Sequence, residues 1–263
     1  MTAVSATGTR QPGRRTAVIR RIGRRAVPIG SVLVLVAFAV LWELLSRLTF
    51  VVPDVVETFE TLAENLSDAT YLAHLRATLI AVGWAFAIGV ALGGFLGLVL
   101  GLSKLARDMF EPLILALNGM PKIVLYPLIL PVFHLGYGSK IVMGALFCVF
   151  PVLINVAAGV RDMPDVYWKL ARSLNVGKRQ LLISFVLPAI RRPLLTGIRL
   201  AVSLATVGVV LSEFFATKEG LGRVVLRTYG AGDYPAMVAT VLLLIVISFV
   251  ISLLLWRMEK RVR

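Results

Sequence analysis

The stretch RDMPDVYWKLARSLNVGKRQLLISFVLPAIRRP, residues 161–193, decides the fold, because it is the longest strongly polar interruption in an otherwise apolar sequence. Seven of its 33 residues are basic: Arg161, Lys169, Arg172, Lys178, Arg179, Arg191 and Arg192. Apolar runs of about 20 residues, each long enough to cross a bilayer, recur on both sides of it. We therefore predict a polar loop carried between membrane spans.

The first half of this polar loop predicts an amphipathic helix. From Val166 the apolar residues fall on one helical face, whereas basic residues such as Lys169 fall on the other. Asn175 and Gly177 are residue types that tolerate a left-handed backbone, so we expect the helix to end there. A second short helix should follow and end at the Leu-Pro dipeptide 187–188.

On composition alone, the loop fits an interfacial helix, with Tyr167 and Trp168 at headgroup level and its cations on anionic lipid. Its pattern favours another role. The loop resembles the cytoplasmic EAA loop of permease subunits of ATP-binding-cassette (ABC) importers, whose pattern is E-A-A, three residues, G, nine residues, I, one residue, L-P. Three positions match that pattern: Ala171, Leu187 and Pro188. Four positions depart from it: Lys169 stands for the Glu, Leu170 for the first Ala, Asn175 for the Gly and Phe185 for the Ile.

Segments around the loop resemble one branch of that family, the nitrate/sulfonate/taurine branch. They are PLILPVFHLGYGSK (127–140), ARSLNV (171–176), LPAIRRPLLTGIRLA (187–201) and EGLGR (219–223). The likeness extends from around Leu75 to the C-terminus, which is most of the chain.

This resemblance implies an all-α membrane protein with six transmembrane helices, the type I (MetI-like) permease fold and cytoplasmic coupling helices. It implies a permease homodimer whose partners are cytoplasmic ABC ATPase subunits and an extracytoplasmic solute-binding protein. The chain itself would then not be an enzyme, because ATP hydrolysis takes place on the separate ATPase. The implied solute is small and anionic or heterocyclic: a sulfonate, nitrate, taurine, an aromatic acid or a pyrimidine precursor.

The resemblance also implies which residues couple the chain to the ATPase. These lie in the first half of the loop: Tyr167, Lys169, Leu170, Ala171, Arg172, Leu174, Asn175 and Gly177. A cation at position 169, where the family has Glu, implies either a compensating carboxylate in the partner's groove or a solvated ammonium group.

The composition agrees with a protein of the lipid membrane. Of 263 residues, 58% are apolar and 16% charged, and the mean hydropathy is +0.87. The net charge of +14 does not indicate binding of nucleic acid, because no basic-aromatic patch on a soluble fold carries it. Cys148 is the only cysteine, which excludes an internal disulfide and a Cys-based zinc site, and His74 and His134 lack metal-ligand spacing. Without a G-x-x-x-x-G-K-[ST] loop, we expect no bound ATP, and we predict no cofactor.

We divide the chain into a basic cytoplasmic tail, residues 1–27, and a transmembrane permease domain, residues 28–263. Six spans are predicted, at about 28–46, 77–102, 110–132, 141–160, 194–216 and 236–256. Residues 51–75 are expected to form a polar connection.

The distribution of cations predicts the orientation. With six spans, the cytoplasmic segments carry about 20 Lys and Arg residues. The outer segments carry six: Arg47, Arg76, Lys140, Lys218, Arg223 and Arg227. The positive-inside rule then places both termini and the 161–193 loop in the cytoplasm, as in a multi-pass protein of the cell (inner) membrane.

Span 3 is predicted to be broken, because it contains four prolines: Pro112, Pro121, Pro127 and Pro131. Non-helical backbone at membrane depth is tolerated where protein or a water-filled cavity satisfies it, which is typical of a translocation pathway. We assign the pathway and gate to five residues: Asn118, Pro121, Asn155, Thr206 and Glu213. An alternative role for the polar residues of the spans, which include Lys122, is hydrogen bonding between helices.

Glu213 lies close to the outer end of span 5, just before the segment EGLG at 219–222. A carboxylate would repel an anionic solute, so we expect an outer-gate or folding role rather than solute contact. The alternative is that Glu213 pairs with Arg223 or Arg227, or bonds to backbone groups.

Three glycines of span 2, Gly89, Gly93 and Gly97, have the small-xxx-small spacing that lets helices approach closely. We interpret them as packing sites within the chain, with dimerisation as the alternative.

Two other function classes remain open on the sequence. A secondary transporter would show internal repeats and ionisable residues at membrane depth. A membrane scaffold or lipid anchor would depend on the basic tail rather than on the polar loop.

Overall fold

The computed structural model describes residues 33–34, 36–216 and 218–262. Every regular element in these residues is a helix, which confirms the predicted all-α class. The predicted basic tail, residues 1–27, and the beginning of predicted span 1 lie outside the described residues. The chain divides into two units, one that ends at Glu57 and one that begins at Thr58.

The first unit contains helix α1, residues 36–48. Glu43, a carboxylate within predicted span 1, forms an ion pair with Arg47 one turn later, with 3.1 Å between Arg47 Nη2 and Glu43 Oε1. The indole N–H of Trp42 donates to the carbonyl of Pro53 at 3.0 Å. The carboxylate of α1 is therefore paired within its own helix.

The helices after α1 follow one another with short connections. In chain order they are α2 (Val55–Ser67), α3 (Ala69–Leu102), α4 (Lys104–Gly119), a 3₁₀ turn (Lys122–Leu125), α5 (Tyr126–Phe133), α6 (Tyr137–Arg161), α7 (Asp165–Ser173), α8 (Lys178–Gln180), a π-helical turn (Leu181–Val186), α9 (Leu187–Ala216), α10 (Leu221–Ala231) and α11 (Tyr234–Val262).

The helical part of the described chain contains several segments long and apolar enough to cross a membrane. Four qualify individually: Ala69–Leu102, Tyr137–Arg161, Lys178–Phe215 and Tyr234–Arg257. A fifth crossing results if Lys104–Gly119 and Lys122–Phe133, which meet at an angle of 95°, count as one broken span. The chain is therefore a multi-pass membrane protein. The number six stays a prediction, because the remaining predicted span begins outside the described residues.

The bend of 95° confirms that the proline-containing span 3 is not a straight helix. The helical backbone is interrupted at Met120 and Pro121, which have extended conformations with ψ values of 151° and 98°. Pro121 has no backbone N–H group to donate, so a continuous α-helix would lack one hydrogen bond at this position, and the interruption falls there.

Helices α3, α6 and α9 pack together around the main core of the second unit. Residues from all three helices are fully buried in this core, among them Ala85, Cys148 and Val209. Gly89, Gly93 and Gly97 lie on the face of α3 that meets α6, where an added Cβ would overlap atoms of Cys148, Val149, Val152, Leu153 or Val156. The predicted packing role of these glycines within the chain is therefore confirmed.

The predicted second short helix of the polar loop is wrong. Instead of ending at Leu187-Pro188, the helical segment that begins at Lys178 continues to Phe215 without a break. A proline normally crowds the carbonyl four residues earlier. The π-helical turn Leu181–Val186 widens the helix just before Pro188, which relieves that crowding. Helix α9 therefore begins at Leu187, seven residues before Leu194, where span 5 was expected to begin.

The expected polar connection 51–75, whose sequence has a weak helical period, is largely helical, and the helix of span 2 begins earlier than the predicted residue 77. Helix α2 occupies Val55–Ser67, and α3 begins at Ala69. Asp68 caps the N-terminus of α3, because its carboxylate accepts from the backbone N–H groups of Thr70 and Tyr71 at 3.0 and 3.2 Å. The bond from the Thr70 N–H is the main cause that holds the pKa of Asp68 below its ordinary value.

Candidate functional site

A buried ion pair joins the beginning of α6 to the end of α9. The ammonium of Lys140 lies 3.2 Å from Oε1 of Glu213, and the two side chains are 2% and 0% exposed. Burial of this kind removes both charges from water, which costs free energy unless further hydrogen bonds satisfy the pair.

Those further hydrogen bonds are present. The Thr78 hydroxyl of α3 lies 3.0 Å from both carboxylate oxygens of Glu213, and the N–H of Gly222 donates to Oε2 at 2.9 Å. Lys140 also donates to the carbonyl of Glu219. The buried pair therefore ties together α3, α6, α9 and the residues that begin α10.

The backbone that begins α10 is held by the same cluster. The N–H of Leu221 donates to the Thr78 hydroxyl at 2.8 Å, and the N–H of Gly220 donates to Nδ1 of His74 at 3.0 Å. Gly220 has a φ of +128°, which side chains rarely allow, and a Cβ there would overlap the Glu213 carboxyl group. Only glycine fits this position without rearrangement.

The alternative that Glu213 pairs with Arg223 or Arg227 is wrong, whereas its bond to a backbone group is confirmed. Both arginines instead line a polar cavity of about 210 Å³ together with His74, Lys218 and Val224. Glu213 pairs with Lys140, which the distribution of cations indicates only as a residue of the outer segments. The sequence does contain a pattern that could have predicted this ion pair. Lys140 near the start of α6 and Glu213 near the end of α9 are opposite charges, and in two antiparallel spans these ends lie on the same side of the membrane.

The predicted pathway residues in α6 and α9 bond to their own helices. Asn155 Nδ2 donates to the carbonyl of Pro151 at 2.8 Å, and the Thr206 hydroxyl donates to that of Val202 at 3.0 Å. The alternative of hydrogen bonds between helices is therefore wrong for these two groups. Each donates to the carbonyl four residues earlier, as hydroxyl and amide side chains do in apolar helices.

The other two pathway residues of this set lie at the bend between α4 and α5. Asn118 is exposed in the last turn of α4, and Pro121 precedes the 3₁₀ turn. Lys122 follows directly, and its ammonium donates to the Asn118 carbonyl at 2.9 Å. The ammonium also lies over two rings of α6, 4.8 Å from the centroid of Phe150 and 5.8 Å from that of Phe147.

Helix α7 has the amphipathic character that the sequence predicts, but most of its apolar face is exposed. Only Ala171 of that face is buried, at 5% exposure, while Val166, Leu170 and Leu174 are 64%, 48% and 61% exposed. Trp168 attaches the helix to the main core instead. An apolar face directed outwards remains available to a partner.

The C-terminus of α7 confirms the predicted helix end. Asn175 has a φ of +48°, the left-handed conformation that glycine adopts most readily. The Val176 N–H donates to the Ala171 carbonyl at 3.2 Å and the Asn175 N–H donates to that of Arg172 at 3.0 Å, which is the Schellman pattern. Gly177 is extended and lies directly before α8 as its N-cap residue. The departure from the family's Gly at 175 therefore keeps the backbone conformation that a glycine would allow.

The remaining residues assigned to coupling are accessible. Tyr167 is 41% exposed, and Lys169 and Arg172 are exposed on the polar face. The Arg172 side chain donates to the Trp168 carbonyl at 3.3 Å. The structure thus brings these residues together on one short helix.

Comparisons with known proteins agree with this architecture. The sequence profile of the family described as the binding-protein-dependent transport system inner membrane component matches residues 89–263. The formylaminopyrimidine transport permease protein ThiX of Halalkalibacterium halodurans is 28% identical over 209 residues, which cover 78% of this chain and 83% of that protein. The taurine transport system permease protein TauC of Escherichia coli is 30% identical over 225 residues, which cover 83% and 81%. Among solved structures, a chain of the MetNI methionine ABC transporter in an inward-facing conformation has the same fold, with a TM-score of 0.65 at 17% identity over 73% of this chain and 95% of that one.

Proposed function

Because this chain belongs to the family of binding-protein-dependent transport system inner membrane components, we propose that it forms the translocation pathway of an ABC importer for a small anionic or heterocyclic solute. The observation that carries the proposal is the exposed apolar face of α7. A short helix attached to the core on one side and unpartnered on the other suits transmission of a rigid-body movement from an ATPase.

The docking of α7 follows from its exposure. Leu170 and Leu174 lie on the open face, whereas Ala171 faces the chain itself. Leu170 and Leu174 then insert into a groove of a cytoplasmic ABC ATPase subunit, and the exposed Lys169 and Arg172 remain at the rim of the interface. Apolar anchors surrounded by polar residues are the usual composition of such interfaces.

The class of solute comes from the relatives and from the segments that resemble the nitrate/sulfonate/taurine branch. Taurine carries a sulfonate group, and formylaminopyrimidine is a heterocycle. An extracytoplasmic binding protein delivers the solute to a permease homodimer, with both termini and the polar loop in the cytoplasm.

Asn118 and Pro121, at the bend of the broken span, line the pathway in this proposal. Asn155 and Thr206 complete the lining, and their hydrogen bonds within their own helices stay intact when the helices move relative to one another. Glu213 acts at the outer gate. Its pair with Lys140 fixes the end of α9 against α6, and its bond from the Gly222 N–H fixes the same end against α10, so the outer ends of these helices move together.

Disulfide crosslinking tests the docking of α7. A cysteine at Leu174, in a Cys148→Ser background, is scanned against cysteines on the surface of the ATPase subunit that assembles with this chain. We expect a crosslink at Leu174→Cys and none at the matched control Ser173→Cys, which lies on the polar face of the same helix. Equal crosslinking from both faces, or none from position 174, contradicts the docking.

Uptake into proteoliposomes tests the transport function itself. Liposomes that contain the permease, its ATPase and its binding protein should accumulate one of labelled taurine, nitrate or a formylaminopyrimidine only when ATP is supplied. Uptake by the isolated chain without the ATPase would instead identify a secondary transporter.

A further inference from the structure

Lys122 is a cation placed at the break of a membrane span. It lies directly after Met120 and Pro121, where the backbone leaves the helix, and between two helices that meet at 95°. Ionisable residues inside membrane spans are costly and usually serve a pathway or pair with an opposite charge.

No carboxylate of the described residues forms an ion pair with Lys122. The ion pairs found there join Arg47 to Glu43, Lys140 to Glu213, and Arg161 to Glu111 and Asp162. The groups found around the Lys122 ammonium are neutral: the backbone carbonyl and side-chain amide oxygen of Asn118 and the rings of Phe147 and Phe150. They orient the ammonium by a hydrogen bond and by cation–π attraction without cancelling its charge.

The bend is open on the side away from α6. Asn118 and Pro121 are exposed, and Val124 is 69% exposed. Lys122 itself is half-buried, so its ammonium stands between the aromatic surface of α6 and the open side of the bend. A charge in this position is accessible to a solute but partly shielded from water.

We propose that Lys122 makes the direct contact with the anionic group of the translocated solute, a sulfonate, carboxylate or nitrate. This inference rests on the proposed function, because it names the residue that recognises the solute in that pathway. A single ammonium group attracts an anion by its charge, but it cannot form the bidentate hydrogen bonds with which arginine binds carboxylates and sulfonates. Transport requires a site that attracts the anion but binds it only weakly, because the anion must enter the site and also leave it.

The local preference for anions is measured with two thiol reagents of opposite charge. Asn118→Cys, in a Cys148→Ser background, places a thiol close to the ammonium, since the Asn118 Oδ1 lies 3.4 Å from Lys122 Nζ. The assembled permease–ATPase complex is treated with sulfonatoethyl methanethiosulfonate, which is itself a sulfonate, or with the cationic trimethylammonioethyl reagent. The ratio of the two rates cancels any change in the reactivity of the thiol, which affects both reagents alike.

We expect the anionic-to-cationic rate ratio to fall about tenfold when Lys122→Gln is added, because loss of a nearby unit charge changes each rate by roughly threefold in opposite directions. Lys122→Arg, which keeps the charge, should retain the ratio. We expect the assembled complex to tolerate Cys148→Ser, because a hydroxyl can donate to the Phe86 carbonyl that accepts from the thiol.

An unchanged ratio in Lys122→Gln overturns the inference. Absence of labelling by both reagents also overturns it, because the bend would then not face water. If Asn118→Cys does not assemble, Val124→Cys provides a second exposed thiol in the same 3₁₀ turn as Lys122. These labelling results are independent of whether α7 crosslinks to the ATPase, so failure of the inference is distinguishable from failure of the proposed function.

Discussion

Lys140 in the first turn of α6 and Glu213 in the last turn of α9 form an ion pair of 3.2 Å whose side chains are 2% and 0% exposed. The pair joins residues 73 positions apart in the chain. Because Glu213 also accepts from Thr78 and from the Gly222 N–H, loss of its charge affects α3, α6 and α10 as well as its own helix α9.

The first prediction concerns this pair. Glu213→Gln should lower the free energy of unfolding by about 3–5 kcal/mol, because it leaves the Lys140 ammonium buried without a counter-charge. Lys140→Met should have a similar effect on the carboxylate. Thermal unfolding of the purified protein in detergent measures both losses.

The double variant Lys140→Met/Glu213→Gln separates the folding role from the gating role. It removes both charges, so most of the lost stability should return. We expect transport by the assembled importer to stay low, because α6 and α9 are no longer held by the ion pair. Transport at the wild-type rate by the double variant would show that the pair has no part in gating.

The sequence could not reveal this pair directly, and the reason is physical. Helical periodicity and caps depend on residues three or four positions apart, whereas the contact between positions 140 and 213 depends on how α6 and α9 pack. The same limit applies to the continuous helix through Pro188. A π-helical turn has no sequence pattern comparable with that of a proline break.

Local rules succeeded where the backbone itself imposes the outcome. The broken shape of span 3 follows from its prolines, although Pro112 and Pro131 lie inside α4 and α5 and the break itself falls at Met120 and Pro121. The helix end at Asn175 follows from the left-handed conformation that asparagine tolerates. The glycine spacing of α3 predicts close approach of a neighbouring helix, and α6 is that neighbour.

Gly220 provides the second prediction. Gly220→Ala should destabilise the fold by about 1–3 kcal/mol, because its φ of +128° strains a side chain and the added Cβ meets the Glu213 carboxyl group. The matched control is Gly230→Ala in α10, where an added Cβ meets nothing within 4 Å. Equal melting temperatures for the two variants would argue against close packing of Gly220 on the Glu213 carboxyl group.

Two neighbouring glycines of α3 provide the third prediction. Gly93 faces α6, and an added Cβ would overlap the Val149 carbonyl and Val152, whereas Gly94 faces open space. Gly93→Ala should therefore cost about 1–3 kcal/mol through overpacking. Gly94→Ala should be neutral or slightly stabilising, because alanine favours the helix. Unfolding temperatures in detergent give the comparison, and the reverse order would contradict the observed packing of α3 on α6.

Asn175 provides the last prediction, which connects the end of α7 to ATPase coupling. A β-branched residue resists the left-handed conformation seen here, at a φ of +48°, so Asn175→Val should cost about 1–2 kcal/mol locally. The Schellman bond from the Val176 N–H to the Ala171 carbonyl would weaken, and α7 would no longer present Leu174 in a fixed position. We therefore expect solute-stimulated ATP hydrolysis by the assembled complex to fall several-fold in Asn175→Val, from a weakened interface of the order of 1 kcal/mol. Asn175→Gly is the matched control, because glycine adopts the same backbone without strain and is the residue of the family pattern; it should keep wild-type coupling. If the glycine variant loses coupling to the same extent as the valine variant, the Asn175 side chain itself, rather than the left-handed backbone, is what the ATPase interface requires.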